Sequence, residues 1–449
     1  MRFSTVFTAI LGAVSFALGP QAMAQDASRV TVLQGGRIID GNGSAPVDGN
    51  LVIRDGRIES IQKGGAQVPA GARVVDVRGK TLMPALIAGH AHLGITNGAR
   101  SGAGEINEAN VIRQLQKYMQ HGIGTVAVFG TDHDFIYRMR ADQQSGKLTV
   151  PTIVTAGHGF GVKDGAPPIA MGMDQVYRPT TIAAVRKDIA ELVAHKPDLV
   201  KIWVDDFGDK KTSKMDPALY REVIQQAHRH GLKVVAHVYY LEDAKRLARD
   251  GVDLFGHSVR DKPVDAELIA LMKQNDIAYI PTLQLDEAFF AYADKPQWTQ
   301  TAFFRQSLDQ GVWEWLNSPA YKVKEVSRKD LANAKANALA LHKAGIRVGM
   351  GTDSGATIAR VQGFAEHREL ELLTEAGFTP MQALQAATSV NAAILGVDQE
   401  RGSLAAGKQA DILVLDANPL DDIRNTRKIH AVWLRGMPVA GEGAPAATR

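Results

Sequence analysis

The chain has 449 residues, of which 45% are hydrophobic and 22% are charged, and its formal net charge is +3. This length exceeds that of one small domain, and the composition is typical of a globular protein rather than a disordered one. A charge so close to zero gives no reason to expect a nucleic acid or an anionic membrane as partner. Because the chain has no cysteine, disulfides and thiolate ligands are excluded. Any metal site must therefore use His, Asp, Glu or a modified Lys.

Residues 1–24 have the pattern of an export signal. Arg2 precedes a short apolar run, and an Ala-Met-Ala cleavage site ends at Ala24. The run is short for a membrane span of about 20 residues, so we favour cleavage after Ala24 over an uncleaved anchor. In a bacterium, the sequence therefore predicts a periplasmic or secreted protein with no stable membrane association after cleavage.

Short β-branched segments separated by glycine-rich turns occupy both ends of the mature chain. They predict antiparallel hairpins within residues 25–80 and again within residues 396–449. Neither end holds enough strands for a sandwich of its own. We therefore predict one small composite β-sandwich domain built from both chain ends.

Between these ends, residues 81–395 alternate between apolar runs and amphipathic stretches. The eight predicted strands are TLMPALIAGHAH, GTVAVFG, TIVTAG, DLVKIWVDD, KVVAHV, DLFGHS, AYIPTL and IRVGMGTDS. Predicted helices such as NVIRQLQKYMQHG, TIAAVRKDIAELVAH and PALYREVIQQAHRHG separate most of them. This alternation predicts an α/β fold with a (β/α)₈ TIM-like barrel. A doubly wound open sheet is the alternative, and the positions of the polar residues argue against it.

Ionisable side chains recur where the predicted strands end, which is where TIM barrels form their active sites. His90 and His92 end the first strand two residues apart, so both side chains point to one face. Taken alone, they could be two hydrogen-bonded core histidines. His237, His257 and Asp353 end the fifth, sixth and eighth strands. Together these side chains predict a divalent metal site, and Zn²⁺ suits such ligands.

Lys201 lies inside the apolar fourth strand, between Val200 and Ile202. A buried amine is costly unless it is neutralised or paired. Burial lowers its pKa and frees the nitrogen for reactions such as carboxylation by CO₂. The competing interpretation is a side chain that extends to water at the end of the strand.

This combination of motifs resembles the metal-dependent amidohydrolase superfamily. HAH on the first strand, the lysine of the fourth, two further strand-end histidines and GTDS carry the resemblance, which covers nearly the whole mature chain. VKIWVDD, HVYYLEDAK, GHSVRD and GSLAAGKQADILVLDANPLDDIRNTRKI are similar to the branch with imidazolonepropionase-like and Xaa-Pro dipeptidase (prolidase)-like enzymes. Ala88 stands where family members commonly have an Asp, and Ala85 where a Gly is frequent. Neither position supplies a ligand, so the predicted site is retained.

The resemblance implies two divalent metal ions, taken as Zn²⁺, held by six side chains: His90, His92, Lys201, His237, His257 and Asp353. In this scheme the first two histidines bind the more buried ion, the other two bind the second ion, and carboxylated Lys201 bridges both. Asp353 contacts the buried ion and acts as general base. The ions activate a bridging water, and Asp353 takes its proton as hydroxide attacks the carbonyl, then passes it to the leaving nitrogen.

Four side chains near the same strand ends are candidates for binding substrate: His158, Tyr239, Tyr240 and Arg260. Arg260 could pair with a substrate carboxylate, and the tyrosines could donate hydroxyl hydrogen bonds. Each could equally take part in ordinary loop packing. Residues 286–322 are rich in aromatic side chains. They could form a lid or pocket wall for an apolar substrate, or a contact between subunits of a homo-oligomer.

The sequence therefore predicts an exported hydrolase of a carbon–nitrogen bond in a small amide, such as a dipeptide or an N-acyl amino acid. One alternative keeps the metal site but opens a ring, either a cyclic amide of the imidazolone type or a lactone. A second alternative is a non-catalytic binding protein that retains the barrel pocket. The presence of Asp353 and of every candidate ligand argues against the second alternative.

Overall fold

The computed structural model describes residues 30–64, 67–169, 173–208 and 212–444. The predicted signal segment, residues 1–24, lies outside the described residues. None of the helices in these ranges is both long and apolar enough to cross a membrane.

Strands dominate both ends of the chain, and strands and helices alternate between them. The strands are β1 (Val30–Ile38), β2 (Val47–Arg54), β3 (Arg57–Lys63), β4 (Arg73–Asp76), β5 (Thr81–Pro84), β6 (Leu86–Ala91), β7 (Thr96–Asn97), β8 (Arg100–Ser101), β9 (Ile123–Val128), β10 (Thr152–Thr155), β11 (Val200–Trp203), β12 (Val234–His237), β13 (Leu254–Phe255), β14 (Ala278–Tyr279), β15 (Ile412–Leu415), β16 (Ile429–Leu434) and β17 (Met437–Gly441). The α-helices are α1 (Glu108–Gln120), α2 (Phe135–Gln144), α3 (Ile182–Ala194), α4 (Pro217–Arg229), α5 (Leu241–Arg249), α6 (Ala266–Gln274), α7 (Leu283–Glu287), α8 (Ala291–Asp294), α9 (Ala302–Gln306), α10 (Val312–Leu316), α11 (Val326–Lys343), α12 (Phe364–Ala376), α13 (Pro380–Gln385) and α14 (Asn391–Leu395). Single 3₁₀ turns lie at Ala103–Glu105, Gln297–Gln300 and Ile423–Arg427, and a π-helical turn spans Ala386–Val390.

The strands of both chain ends form one eight-stranded sheet. Its neighbours are β17, β16, β15, β5, β1, β2 and β3 in that order, and β4 pairs with β1. The β5 strand joins the two ends, because it pairs with β1 on one side and with β15 on the other. Leu33, Leu82, Ile412 and Trp433 belong to the apolar core of this sheet. The sheet therefore extends to Pro84, past the predicted boundary at residue 80.

Eight segments between these ends pair in parallel. The β6 strand pairs with β9 and β9 with β10, while β11, β12, β13 and β14 follow one another in a second set. A parallel bridge between Phe160 and Ile202 joins the two sets. The eighth segment bridges β14 through Val348 and β6 through Ser354. The ring of neighbours is closed, as in a barrel, whereas an open doubly wound sheet has two free edges.

The eighth segment, IRVGMGTDS, is a predicted strand that the structure contains only in part. Gly351 lies so close to β6 that an added Cβ would stand 2.8 Å from the backbone nitrogen of His90. Asp353 has a φ of 58°, in the left-handed region that few residues other than glycine adopt. The backbone N–H of His92 still donates to the carbonyl oxygen of Ser354 at 2.8 Å. The chain thus leaves strand geometry at the residue that carries the carboxylate, yet stays beside β6.

The first predicted barrel strand, TLMPALIAGHAH, is divided between the two sheets. The backbone N–H of Ala85 donates to the carbonyl oxygen of Asp411, the residue before β15 of the eight-stranded sheet. The backbone N–H of Leu86 donates to the carbonyl oxygen of Gly122, the residue before β9. The pairing partner therefore changes between two consecutive residues. A continuous apolar run carries no signal for such a change, because both segments are buried.

The three quoted amphipathic stretches are helical, as predicted, and correspond to α1, α3 and α4. Each helix follows a polar residue whose side-chain oxygen accepts a backbone N–H of the first turn: Asn107, Thr181 and Asp216. Their apolar faces pack against the parallel strands, with Leu115, Ile189 and Val223 in the same buried core.

Candidate metal centre

The six side chains predicted as metal ligands are all buried: His90, His92, Lys201, His237, His257 and Asp353. They come from β6, β11 and β12, from one or two residues after the ends of β6 and β13, and from the irregular eighth segment. The ring centroid of His257 lies 4.5 Å from that of His90 and 4.1 Å from that of His237. One ligand atom each of His90, His257 and Asp353 lies within 4.8 Å of the other two. The fold thus brings to one place side chains that are far apart in the sequence.

His90 and His92 present their Nε2 atoms to Asp353, at 3.4 and 2.8 Å from its Oδ1. Their other ring nitrogens have partners. Nδ1 of His90 lies 2.6 Å from the carbonyl oxygen of Gly256, and Nδ1 of His92 lies 2.7 Å from Oγ1 of Thr131. A carbonyl oxygen can only accept, so Nδ1 of His90 carries the proton and Nε2 offers the lone pair that a metal ion needs.

Burial keeps three of these histidines neutral. It lowers the pKa of His90, His237 and His257 well below the usual value for histidine. The positive charge of Lys201 lowers the pKa of each further. The neutral imidazole is the form that binds metal ions, so the cluster is prepared for one in its protonation state.

Lys201 is fully buried, and its amine lies 5.2 Å from the ring of Trp203 and 5.7 Å from that of Phe129. Its Nζ has no hydrogen-bond partner among the described residues. Burial lowers the pKa of this amine to about 7, although the carboxylates of Asp353 and Asp205 act in the opposite direction. An amine with this pKa is partly neutral near pH 7, and only the neutral amine can react with CO₂.

The cluster has the chemistry of a divalent metal site. Nε2 of His90 and Nζ of Lys201 are buried without a hydrogen-bond partner among the described residues. Unpaired buried polar atoms are costly, so a native structure rarely keeps them without a reason. Neutral imidazoles together with carboxylate oxygens are ligands that Zn²⁺ and similar ions take. The residues present therefore fit the metal ions that the sequence predicts.

Asp353 forms an ion pair with Arg360 that the sequence did not predict. Nη1 of Arg360 contacts Oδ2 of Asp353, on the side away from the histidines. Burial raises the pKa of Asp353, but the positive charge of Arg360 and the interaction with His92 lower it more, so the carboxyl group is ionised. Arg360 follows Asp353 in a loop with no recognisable motif, and only the folded turn brings the two together.

A cavity of about 300 Å³ opens on this cluster. Its polar lining consists of His92, His237, His257, Asp353, Arg260, Arg360, Lys324 and Thr357. Its apolar lining includes Pro167, Met173, Trp203, Phe207, Leu285 and Phe289. An apolar cavity with a few converging polar groups is typical of a small-molecule site.

Arg260 is the predicted substrate-binding residue that the structure places on the cavity. Its Nη1 donates to the carbonyl oxygen of Ser258 at 3.1 Å, and its Nε lies 3.5 Å from Oδ1 of Asp286. The guanidinium stacks over the ring of Tyr239 at 4.8 Å, and the hydroxyl of Tyr239 donates to Asp330. Tyr239 does not line the cavity and supports the arginine instead.

Tyr240 and His158 are not among the residues that line the cavity. The hydroxyl of Tyr240 donates to Asp206 at 2.9 Å, and Nε2 of His158 lies 3.3 Å from Oδ1 of Asp134. Nearby carboxylates thus account for both side chains. The structure does not bring these two predicted substrate-binding residues to the site.

The aromatic-rich segment 286–322 builds a wall next to the candidate site. Part of it forms a core of its own, which contains Tyr292, Phe304, Val312 and Leu316 together with Phe364. Phe289, Trp315 and Tyr321 line a second cavity, of about 350 Å³. Phe289 lines the first cavity as well, so the two cavities are adjacent. Residues of the segment thus line both cavities, and the alternative of a subunit contact stays a prediction.

Comparison with known proteins agrees with this architecture. Residues 81–439 match the model of the amidohydrolase family. The ochratoxinase of Aspergillus niger is 25% identical over 93% of this chain and 88% of its own length. A Bifidobacterium longum protein assigned as a prolidase has a crystal structure with a TM-score of 0.75 at 29% identity, covering 93% of this chain and 96% of its own.

The structure of a Xaa-Pro dipeptidase with bound methionine has a TM-score of 0.75 at 22% identity, covering 91% of this chain and 99% of its own, and shows the shared fold. These neighbours imply a TIM-barrel fold with α/β content, as predicted. The family model extends over most of the sequence, which confirms the predicted relationship. The chain belongs to the amidohydrolase family and is a hydrolase that acts on carbon–nitrogen bonds.

Proposed function

We propose that this protein is an exported, metal-dependent amidohydrolase that cleaves the amide bond of an N-acyl amino acid or a dipeptide. One observation carries the proposal. His90, His257 and Asp353 converge within 4.8 Å, and the cavity that His257 and Asp353 line is also lined by Arg260. The proposed ligands are the six predicted side chains, holding two Zn²⁺ ions with carboxylated Lys201 between them.

The proposal includes the organisation of the chain. Residues 1–24 would be a signal peptide removed after Ala24. Residues 25–80 and 396–449 would form one composite β domain, and residues 81–395 would form the catalytic barrel. The sheet that combines strands from both chain ends supports the composite domain.

Divalent ions in this site would activate a water molecule and polarise the scissile carbonyl group. Asp353 is ionised and directs one oxygen to the histidines and the other to Arg360. Its carboxylate would accept the proton of the attacking water and deliver it to the leaving nitrogen. Arg360, next to the same carboxylate, stabilises the ionised form before the proton arrives.

Arg260 would bind the carboxylate of the substrate. The guanidinium is fixed by the carbonyl oxygen of Ser258 and by the ring of Tyr239, and Asp286 balances its charge. A fixed guanidinium at the cavity wall can form charge-assisted hydrogen bonds with little further loss of side-chain entropy.

Arg260→Lys is expected to raise the KM for substrates with a free carboxylate by about tenfold, because a charge-assisted hydrogen bond of about 1.5 kcal/mol is lost. The lysine keeps a positive charge near Asp286, so the protein should fold. The measurement compares an N-acyl amino acid with its methylamide, in which the carboxylate is absent. Arg305→Lys, at a half-buried position outside the cavity, is the control. Equal loss on both substrates would contradict the assignment.

The second cavity favours a substrate with an extended apolar group. It shares Phe289, Lys324, Ala356 and Thr357 with the first cavity, so one molecule can extend from one into the other. Ile95 and Trp315 add apolar surface to its wall. We therefore propose that the acyl group of the substrate lies in the second cavity while its carboxylate pairs with Arg260.

A substrate panel tests this function on the mature enzyme, whose first residue should be Gln25. The panel contains N-acyl amino acids from acetyl to dodecanoyl, Xaa-Pro and other dipeptides, a cyclic amide and a lactone. We expect kcat/KM to rise about fourfold with each methylene group that the second cavity buries, at about 0.8 kcal/mol each. Activity should disappear on chelation and return with Zn²⁺. Turnover that survives complete metal removal would refute the proposal, and a preference for the cyclic substrates would favour the ring-opening alternative.

A further inference from the structure

We propose that Asp205 is a positioning residue for His237: it accepts a hydrogen bond from Nε2 of the imidazole and so leaves Nδ1 as the metal ligand. The inference rests on the proposed function, because it takes His237 to be a ligand. Asp205 lies two residues after β11, within the VDD sequence at the strand end, where barrel enzymes place functional side chains. The position of Asp205 at a strand end can be recognised in the sequence, but the sequence does not indicate what the residue does.

The two side chains face each other inside the protein. Asp205 is fully buried, and its Oδ1 lies 3.5 Å from Nε2 of His237. The same oxygen accepts the backbone N–H of Phe207 at 2.9 Å, which fixes the carboxylate in place. Both Nε2 of His237 and Oδ2 of Asp205 lack a hydrogen-bond partner among the described residues. A donor and an acceptor are thus buried side by side, slightly beyond ideal hydrogen-bond distance.

Asp205 contacts His237 without being part of the cavity wall. His237 lines the cavity at the metal centre, whereas Asp205 does not. The contact that the structure shows for this carboxylate is with the Nε2 edge of the His237 ring, and that contact favours positioning through the ring.

The neighbouring histidines show the opposite orientation. Nδ1 of His90 lies 2.6 Å from the carbonyl oxygen of Gly256, and Nδ1 of His257 lies 2.9 Å from Oγ1 of Thr282. Those contacts leave Nε2 free for a metal ion in both residues. In His237 the edge that faces a protein acceptor carries Nε2, so the ligand atom is Nδ1.

A carboxylate is also the strongest partner in this group. When ionised it can only accept, so it requires the proton on Nε2, and its negative charge makes Nδ1 a better electron-pair donor. Partners of this kind typically change metal affinity by about 10- to 100-fold. We expect the effect on the second ion, which His237 and His257 would bind, and not on the ion held by His90 and His92.

The experiment compares Asp205→Ala, Asp205→Asn and the matched control Asp206→Ala in the full mature chain loaded with Zn²⁺. Dissociation constants of both ions are measured by competition with a chromophoric chelator, and zinc per chain is measured after dialysis. Asp205→Ala should weaken the second ion by about 10- to 100-fold and leave the first unchanged. Asp205→Asn, whose amide oxygen still accepts from Nε2, should recover most of the loss. Asp206→Ala should keep both ions, because Asp206 pairs with Tyr240.

Two results would overturn the inference: unchanged affinity for the second ion in Asp205→Ala, or no recovery in Asp205→Asn. If the alanine variant does not fold, ¹⁵N NMR of histidine-labelled wild-type enzyme decides the question. It should show a protonated Nε2 and a metal-bound Nδ1 for His237, and the reverse assignment would overturn the inference. A wild-type chain that binds no divalent ion would overturn the proposed function as well. If the wild-type chain binds metal and only the variants or the tautomer of His237 differ from expectation, the inference about Asp205 is wrong and the proposed function is unaffected.

Discussion

Asp353→Asn is expected to lower kcat by about 10²- to 10⁴-fold, the range for loss of a general base, with a much smaller change in KM. The side chain keeps its shape, so an oxygen can still face His92, but an amide cannot accept the proton of the attacking water. The position is also sensitive because φ is 58° there, and asparagine tolerates this left-handed backbone better than most residues. The substitution therefore changes the chemistry more than the fold.

Steady-state kinetics on the preferred substrate of the panel measure this effect, together with zinc per chain. Asp132→Asn is the matched control, since Asp132 is also buried but hydrogen-bonds to Thr155 and does not line the cavity. We expect the control to retain kcat within about twofold, as is usual for substitutions away from the reacting groups. A metal-loaded Asp353→Asn enzyme with more than about a tenth of the wild-type kcat would show that another group acts as base.

The sequence predicts the barrel and its candidate ligands because both depend on local patterns. The alternation of apolar runs with amphipathic stretches specifies parallel strand–helix units, and strand ends in such units lie on one face. His90, His237 and His257 could therefore be placed together without knowledge of any contact. The lysine of β11 stands out for the same reason, since an apolar strand rarely contains a charge.

Contacts that depend on the path of the chain outside regular elements cannot be predicted from local sequence patterns. The change of partner between Ala85 and Leu86 leaves no trace in the apolar pattern, so the sequence predicts β5 as part of the barrel. Arg360 reaches Asp353 only because the eighth segment turns at the carboxylate-bearing residue. Hydrophobic periodicity predicts regular strands and gives no information about this turn.

The predicted substrate-binding residues differ in whether they line the cavity. Tyr240 and His158 follow strand ends, yet Asp206 and Asp134 hold their polar atoms elsewhere. Position at a strand end selects the face of the barrel, but the orientation of a side chain depends on the nearest hydrogen-bond partner. Arg260 reaches the cavity although it too has partners, because they hold it at the cavity wall.

Lys201→Ala is expected to leave at most one metal ion per chain and to lower kcat/KM by about 100-fold or more, because the lost ion would contribute several kcal/mol of transition-state stabilisation. Removing the side chain opens space beside Trp203 and Phe129, next to the cavity. Formate or acetate could enter that space and supply the missing carboxylate. We therefore expect added formate to restore part of the metal content and of the activity.

Lys201→Met separates the effect of losing the carbamate from the effect of losing side-chain volume. Methionine fills the space with an apolar chain, cannot be carboxylated and leaves no room for formate, so its activity should be low and indifferent to the anion. Because a buried amine without a hydrogen bond is costly, the metal-free Met variant should melt at the same temperature as the metal-free wild type or above it. Full metal content and activity in this variant would exclude a bridging lysine, since the ions would then be held by the histidines and Asp353 alone. Loss of both, with rescue only in the alanine variant, would assign the bridge to a carboxylate on Lys201.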